Sequence, residues 1–305
     1  MSYAPIIIFS YNRPDHLRRT LEALAKNNLA NDSELFIYCD GAKDSASKEQ
    51  QERIAENRKV AHATTGFKSV KVIEREKNIG LKANIVGAVT EIVNRYNRVI
   101  TLEDDIITSP GFIRYMNDAL ELYKDDEQVM HVTGYMYPHK WPLPETCFFA
   151  MPCPWGWGTW KRAWQYYNDD AKELYGYWSK DWDTFNKVGG TFLQRQLVDN
   201  YKGTLNTWFV KWHAVTLKMG GLTLYPGQSL TNNNGFDNSA TNCYETDKYE
   251  VVLKDSVEVK RIPIRENWLV AHEIYAFYQG RWYNKRRREA FLRKVKSILY
   301  FWKHE

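Results

Sequence analysis

Four times between Tyr3 and Asp105 the chain turns apolar for a few residues, at Tyr3 to Ser10, Leu35 to Cys39, Val70 to Ile73 and Val99 to Leu102, and each time a polar turn follows. The first of these runs is continuous, the pattern of a strand buried on both faces, and the other three also fit strands. The intervals between them have helical length. Leu17, Leu21 and Leu24 share one helical face in the first interval, residues 44 to 61 are polar enough for an exposed helix, and Leu81, Ile85, Val89 and Ile92 stripe the third. Strands joined by helical crossovers run parallel, so the chain predicts an α/β, doubly wound, mostly parallel sheet flanked by helices.

The fourth run ends in three adjacent carboxylates, Glu103-Asp104-Asp105. Strand ends at the carboxyl edge of such a sheet open onto the ligand crevice. Like charges this close repel and are costly to desolvate, so a bridging cation is the economical explanation. The competing explanation is a helix start decorated with acids, because Ser109-Pro110 has the form of an N-cap and a first helical residue.

Beyond Asp105, Phe112, Met116, Leu120 and Tyr123 stripe a helix, and Val129 to Thr133 and Leu222 to Tyr225 fit strands. The stretch Trp141 to Trp182 is crowded with aromatics. Helical spacing places Trp160 and Trp164 in the core, whereas Trp155 and Trp157 alternate with glycines, which predicts a turn where the two indoles line a pocket. Trp208, Trp212, Val215 and Met219 form another helical stripe. Asn232 to Cys243 is a polar loop long enough to be functional.

Composition narrows the class. At 305 residues and 44% apolar, the chain can bury the core of one large domain or one and a half. Four scattered cysteines match neither a zinc spacing nor a dense disulfide framework, and the start lacks a signal-type apolar region, so a cytoplasmic protein with reduced thiols is expected. From Arg281 to Glu305 nine Lys and Arg face two Glu, a surplus of seven; the rest of the chain therefore carries −2 of the net +5. This argues against a whole-protein nucleic-acid binder and for one local anionic contact. Phe291, Val295, Ile298 and Trp302 give that tail an apolar face among the cations Arg286 to Arg288, Arg293, Lys294 and Lys296, which fits either an anionic membrane surface or packing on the domain.

With these pieces placed, residues 4 to 245 resemble the nucleotide-sugar glycosyltransferases of the GT-A fold. The likeness is to glycosyltransferase family 2 and, more distantly, to animal N-acetylglucosaminyltransferase I. The marks are Phe9-Ser-Tyr-Asn-Arg13-Pro after the first strand, Asp40 after the second, Asn78-Ile-Gly80 before a helix, Glu103-Asp-Asp105, and Trp155-Gly-Trp157-Gly. The resemblance implies a catalytic domain over 1–245, with a nucleotide-binding half (1–134), an acceptor-side half (135–245) and a C-terminal basic helical extension (246–305). It implies a nucleoside diphosphate sugar donor and a glycan or lipid-linked acceptor, met at the inner face of the membrane in surface polysaccharide synthesis. Asp105 would hold Mn2+ or Mg2+. The donor would be bound by Ser10, Tyr11, Asn12, Arg13, Asp40, Asn78, Gly80, Lys82, Glu103 and Asp104, with Asp40 taking a pyrimidine N–H (hence UDP), Arg13 pairing with a phosphate, and Lys82 helping unless a surface salt bridge holds it. Trp155 and Trp157 would meet substrate.

Inverting transfer also needs a carboxylate base. Relatives often place an Asp after the first Trp of a Trp-x-x-x-Trp helix, and here that position is Phe209. Asp237, in the polar loop, and Asp183, beside Asp181, are the alternatives. A sugar nucleotidyltransferase would share the layout but expects a glycine-rich basic loop after the first strand. A carbohydrate-binding protein would use the aromatics without needing the acids.

Overall fold

A computed structural model describes residues 3–187, 190–237 and 246–278. The four expected strands are β1 (Ile6–Ser10), β2 (Glu34–Cys39), β3 (Ser69–Glu74) and β4 (Arg98–Glu103), mutually parallel in the order β3-β2-β1-β4. Their crossovers are α1 (Pro14–Ala25), α2 (Lys48–His62) and α3 (Gly80–Tyr96). Pro14 presets the first helical turn of α1, which buries Leu17, Leu21 and Leu24. A reciprocal cap between Ser47 and Gln50 starts α2, which buries little, as its polar sequence requires. In α3, Ile85, Val89 and Ile92 are buried, but Leu81, expected on the same stripe, is exposed in the first turn.

The second half extends this sheet with a change of direction. Past β5 (Ile106–Thr108) and α4 (Phe112–Leu122) come β6 (Val129–Thr133), β7 (Thr146–Phe149), β8 (Trp157–Trp160), β9 (Leu222–Pro226) and β10 (Thr231–Asn233). β8 lies antiparallel between β4 and β6, β9 runs parallel to β6, and β7 antiparallel to β9; the eight-stranded order is β3-β2-β1-β4-β8-β6-β9-β7. Between β8 and β9 the chain forms α5 (Lys161–Trp164), α6 (Ala171–Trp178), α7 (Trp182–Asn186), α8 (Gly190–Lys202) and α9 (Phe209–Lys218). Finally α10 (Trp268–Tyr278) packs on β7, and a bridge from Phe148 to Glu266 covers that edge of the sheet. The basic stripe anticipated over 286–302 lies outside the described residues.

Two sequence expectations change here. Trp157 sits in strand β8, not in a turn, and is sealed in the core with its ring stacked on His131 at 5.1 Å and on Trp208 at 5.0 Å. The alternating glycines serve close packing: a Cβ on Gly158 would come within 2.9 Å of Met116 Cε and the Val99 carbonyl oxygen. The polar stretch from Asn232 is likewise not all loop, since Asn232 and Asn233 belong to β10, which pairs antiparallel with β5.

Candidate active site

Because β1 lies between β2 and β4, the chain reverses its lateral direction there, and the crevice beyond the carboxyl ends of β1 and β4 is the switch point where open α/β sheets take ligands. Register pairs Phe9 with Glu103, so the residues after each strand emerge side by side. Arg13, the N-cap residue of α1, sends its guanidinium to Asp104 Oδ1 and, at 2.8 Å, to Asp105 Oδ2. Thr20, two turns along α1, donates its hydroxyl to the Asp104 carbonyl at 2.7 Å. The acidic turn is thus braced by one helix, and the cation that its charges call for is, in this structure, an arginine. Burial pushes Asp104 up from the ordinary carboxylate range, while Arg13 pulls it back. Glu103 is raised by burial and then by the charges of Asp105 and Asp104.

A second brace comes from the far end of the chain. β10 pairs with β5 directly after the acidic turn, and the Asn234 N–H donates to the Asp105 carbonyl at 2.9 Å. Gly235 then passes so close that a Cβ there would collide with Asp105 Oδ2. Phe236 stacks on Tyr249 at 4.9 Å and meets Trp155 edge-on, which anchors the loop in a half-buried aromatic cluster with Tyr135. Asp237 follows, its Oδ2 2.9 Å from His16 Nε2 on the first turn of α1. Asp183, the other base candidate, is exposed in the first turn of α7, which packs on α8.

Other expected donor residues are engaged by the protein itself. Asp40 accepts four hydrogen bonds, from the backbone N–H groups of Gly41, Ile79 and Gly80 at 2.9, 3.0 and 2.9 Å and from Asn78 Nδ2 at 3.0 Å. A carboxylate has about four acceptor positions. Asp40 therefore tethers the loop before α3 to the end of β2, and in this arrangement nothing remains for a nucleobase N–H. Ser10 is buried, its hydroxyl accepting from Asn57 Nδ2 at 2.9 Å, and the Asn12 carbonyl accepts from Arg53 Nε at 3.1 Å. The Tyr11 backbone donates to Asp104. Lys82 takes the salt-bridge alternative: it shares Asp169 with the buried Lys211. Trp155 stays half-buried in the aromatic cluster under the loop. Sequence reasoning missed His16, although its i+3 spacing from Arg13 puts both on one face of α1.

The glycosyl transferase family 2 pattern matches residues 6–200. The chain belongs to that family: it is a glycosyltransferase, and its mostly parallel mixed sheet flanked by helices is the GT-A type of α/β fold. Among solved structures, the mannosyltransferase PcManGT from Pyrobaculum calidifontis in complex with GDP-Man and Mn2+ is similar at a TM-score of 0.34 and 11% identity, over 58% of this chain and 47% of that one. S. aureus TarS 1-349 is similar at 0.34 and 16%, over 53% and 47%. The chain thus spans less than half of either neighbour. No curated protein was found to be similar to it in sequence.

Proposed function

We propose that the chain is an inverting, metal-dependent hexosyl- or N-acetylhexosaminyltransferase that moves a sugar from a nucleoside diphosphate to a glycan or lipid-linked acceptor in surface polysaccharide synthesis. The observation that carries this reading is the pairing of Arg13 with Asp104 and Asp105 at the switch point, with the loop bearing Asp237 laid against them. Residues 1–134 form the donor half and 135–245 the acceptor half, and 246–278 touches both, through Arg261 on Asp126 and α10 on β7.

A divalent metal fits the residues present. Among the described residues no three His, Cys, Asp or Glu side chains form a cage. None is needed, because Mg2+-type ions in nucleotide sites are held by one or two carboxylates, with substrate phosphates completing the shell. Asp105, supported by Asp104, offers hard oxygen donors, and the missing side chain of Gly235 leaves room at Asp105 Oδ2. Held there, the ion supplies positive charge against the leaving diphosphate. Arg13 keeps the acidic turn compensated and offers a guanidinium to phosphate oxygens entering the crevice. Asp237 is favoured over Asp183 as the base because its loop is tied to the acidic turn, so that it accepts the proton of the acceptor hydroxyl beside the donor.

Support for uridine rested on Asp40, whose acceptors the α3 loop takes, so the deciding experiment spans nucleotides. Release of UDP or GDP is measured from UDP- and GDP-linked glucose, N-acetylglucosamine, galactose and mannose, with Mn2+ and with chelator. At least one donor is expected to turn over, only with metal. Turnover that survives chelation breaks the metal assignment, and no turnover of any donor breaks the substrate class.

A further inference from the structure

We propose that His16 is a positioning residue that holds the Asp237 carboxylate for proton abstraction; the proposal rests on the reading of Asp237 as the base. His16 is buried, and its Nε2 has no hydrogen-bond partner of good geometry among the described residues. The group in front of that atom is Asp237, whose Oδ2 lies 2.9 Å away, off the axis of an ideal hydrogen bond but at ion-pair distance. A buried imidazole nitrogen left without a partner is costly. A small rotation of either side chain, which is half-exposed in Asp237, makes the bond.

The placement says more than the contact. Arg13, His16 and Thr20 follow one another along a single face of α1, and each reaches a different part of the crevice: the acidic carboxylates, Asp237 and the Asp104 carbonyl. One rigid helix therefore spaces the donor side of the site from the base. From the other direction, Asn234 and Gly235 tie the same loop to Asp105. Asp237 lies between these two supports, with His16 Nε2 2.9 Å from its carboxylate. In the step this arrangement serves, Asp237 takes the proton of the acceptor hydroxyl, the oxygen forms the bond to the anomeric carbon, and the bond to the diphosphate breaks with its electron pair leaving on the nucleotide. The half-exposed side of Asp237 then returns the proton to water. A carboxylate less well oriented spends less time in line with the acceptor, so the expected loss on removing His16 is in kcat rather than in donor KM.

The test is a double-mutant cycle on the full chain, using Mn2+ and the fastest donor of the panel above. His16→Leu is expected to lower kcat about 10- to 100-fold with donor KM little changed, and His16→Gln, which keeps an N–H donor, to recover most of it. In an Asp237→Asn background, His16→Leu should cost almost nothing further, because its effect passes through the carboxylate already removed. A further 10-fold loss in that background, or His16→Gln as poor as His16→Leu, overturns the positioning role in favour of a packing one. Normal kcat in Asp237→Asn overturns the base assignment itself, a separate failure. If His16→Leu does not fold, His16→Gln and His16→Asn are compared across the same cycle.

Discussion

Asp104, at the carboxyl edge of β1 and β4, and His131, beneath the aromatic block around β8, are both sealed from water and pushed by burial toward the neutral form, but only Asp104 has an opposing charge beside it. Burial takes the charge from His131, driving it down to about 3. Its neutral ring is then fully used: Nδ1 accepts the Trp212 indole N–H at 3.2 Å, Nε2 donates to the Cys153 carbonyl at 3.0 Å, and one face stacks on Trp157. Asp104 instead keeps its charge in contention, with burial pushing one way and Arg13 pulling the other. The aromatic block is finished by folding. The acidic turn is left electrostatically unsettled, and that is the condition under which an incoming cation or phosphate gains the most.

The largest expected effect is a crossover between the two regions. Asp105→Ala should lower transfer by about 10³-fold or more while the unfolding free energy hardly moves, since Asp104 keeps Arg13 as its partner. His131→Phe should do the reverse, costing about 1–3 kcal/mol for the stranded Trp212 N–H and Cys153 carbonyl with kcat per folded molecule unchanged. Urea titration alongside donor turnover reads both, and a catalytic loss in His131→Phe would join regions held here to be separate.

Next in size is Arg13→Ala. Leaving two buried carboxylates without a cation should cost about 3–5 kcal/mol, of which Arg13→Lys recovers only part because an ammonium lacks the fork. Wild-type stability in Arg13→Ala would mean that the turn is solvated.

The smallest effect is a pair of opposite pH slopes, each at most about 1.4 kcal/mol per pH unit per group. The folded value of Glu103 is raised above its ordinary 4.5, so its contribution is whole below that pH and is lost as the pH rises through the raised value. The folded value of His131 is depressed from 6.5 to about 3, so its contribution is present above 6.5 and lost as the pH falls toward 3. Denaturation across pH should therefore show Glu103→Gln flattening the alkaline limb and His131→Phe the acid limb. A swap of those limbs would reverse the direction of shift assigned to each group.

Much of the fold was legible because its signals are local. Apolar runs and helical stripes are properties of a few consecutive residues, and β1 to β4 with their crossovers appear where the runs predict them, although β3, at the edge of the sheet, buries none of its residues. The misreadings share one cause. In Trp155-Gly-Trp157-Gly the first glycine does turn the chain, Gly156 having φ +76°, but the second lies in β8, where Met116 and Val99, both distant in sequence, press on Gly158. Asp40 seemed free for a ligand because its four donors include none from its own strand, and three of them lie some 40 positions along the chain.

The sequence by itself placed three carboxylates at the end of a buried strand on the ligand edge of a parallel sheet and made a bridging cation the economical explanation, because repulsion and desolvation act on neighbours in the chain whatever surrounds them. That an arginine meets them, and that the loop bearing Asp237 lies beside them, only the tertiary structure decided. Arg13 reaches Asp104 across 91 positions because β1 and β4 are adjacent. Asp237 arrives because β10 pairs with β5 and His16 stands in front of it. Those contacts depend on strand order and register, which are set by the packing of the whole sheet and are written in no single stretch of the chain.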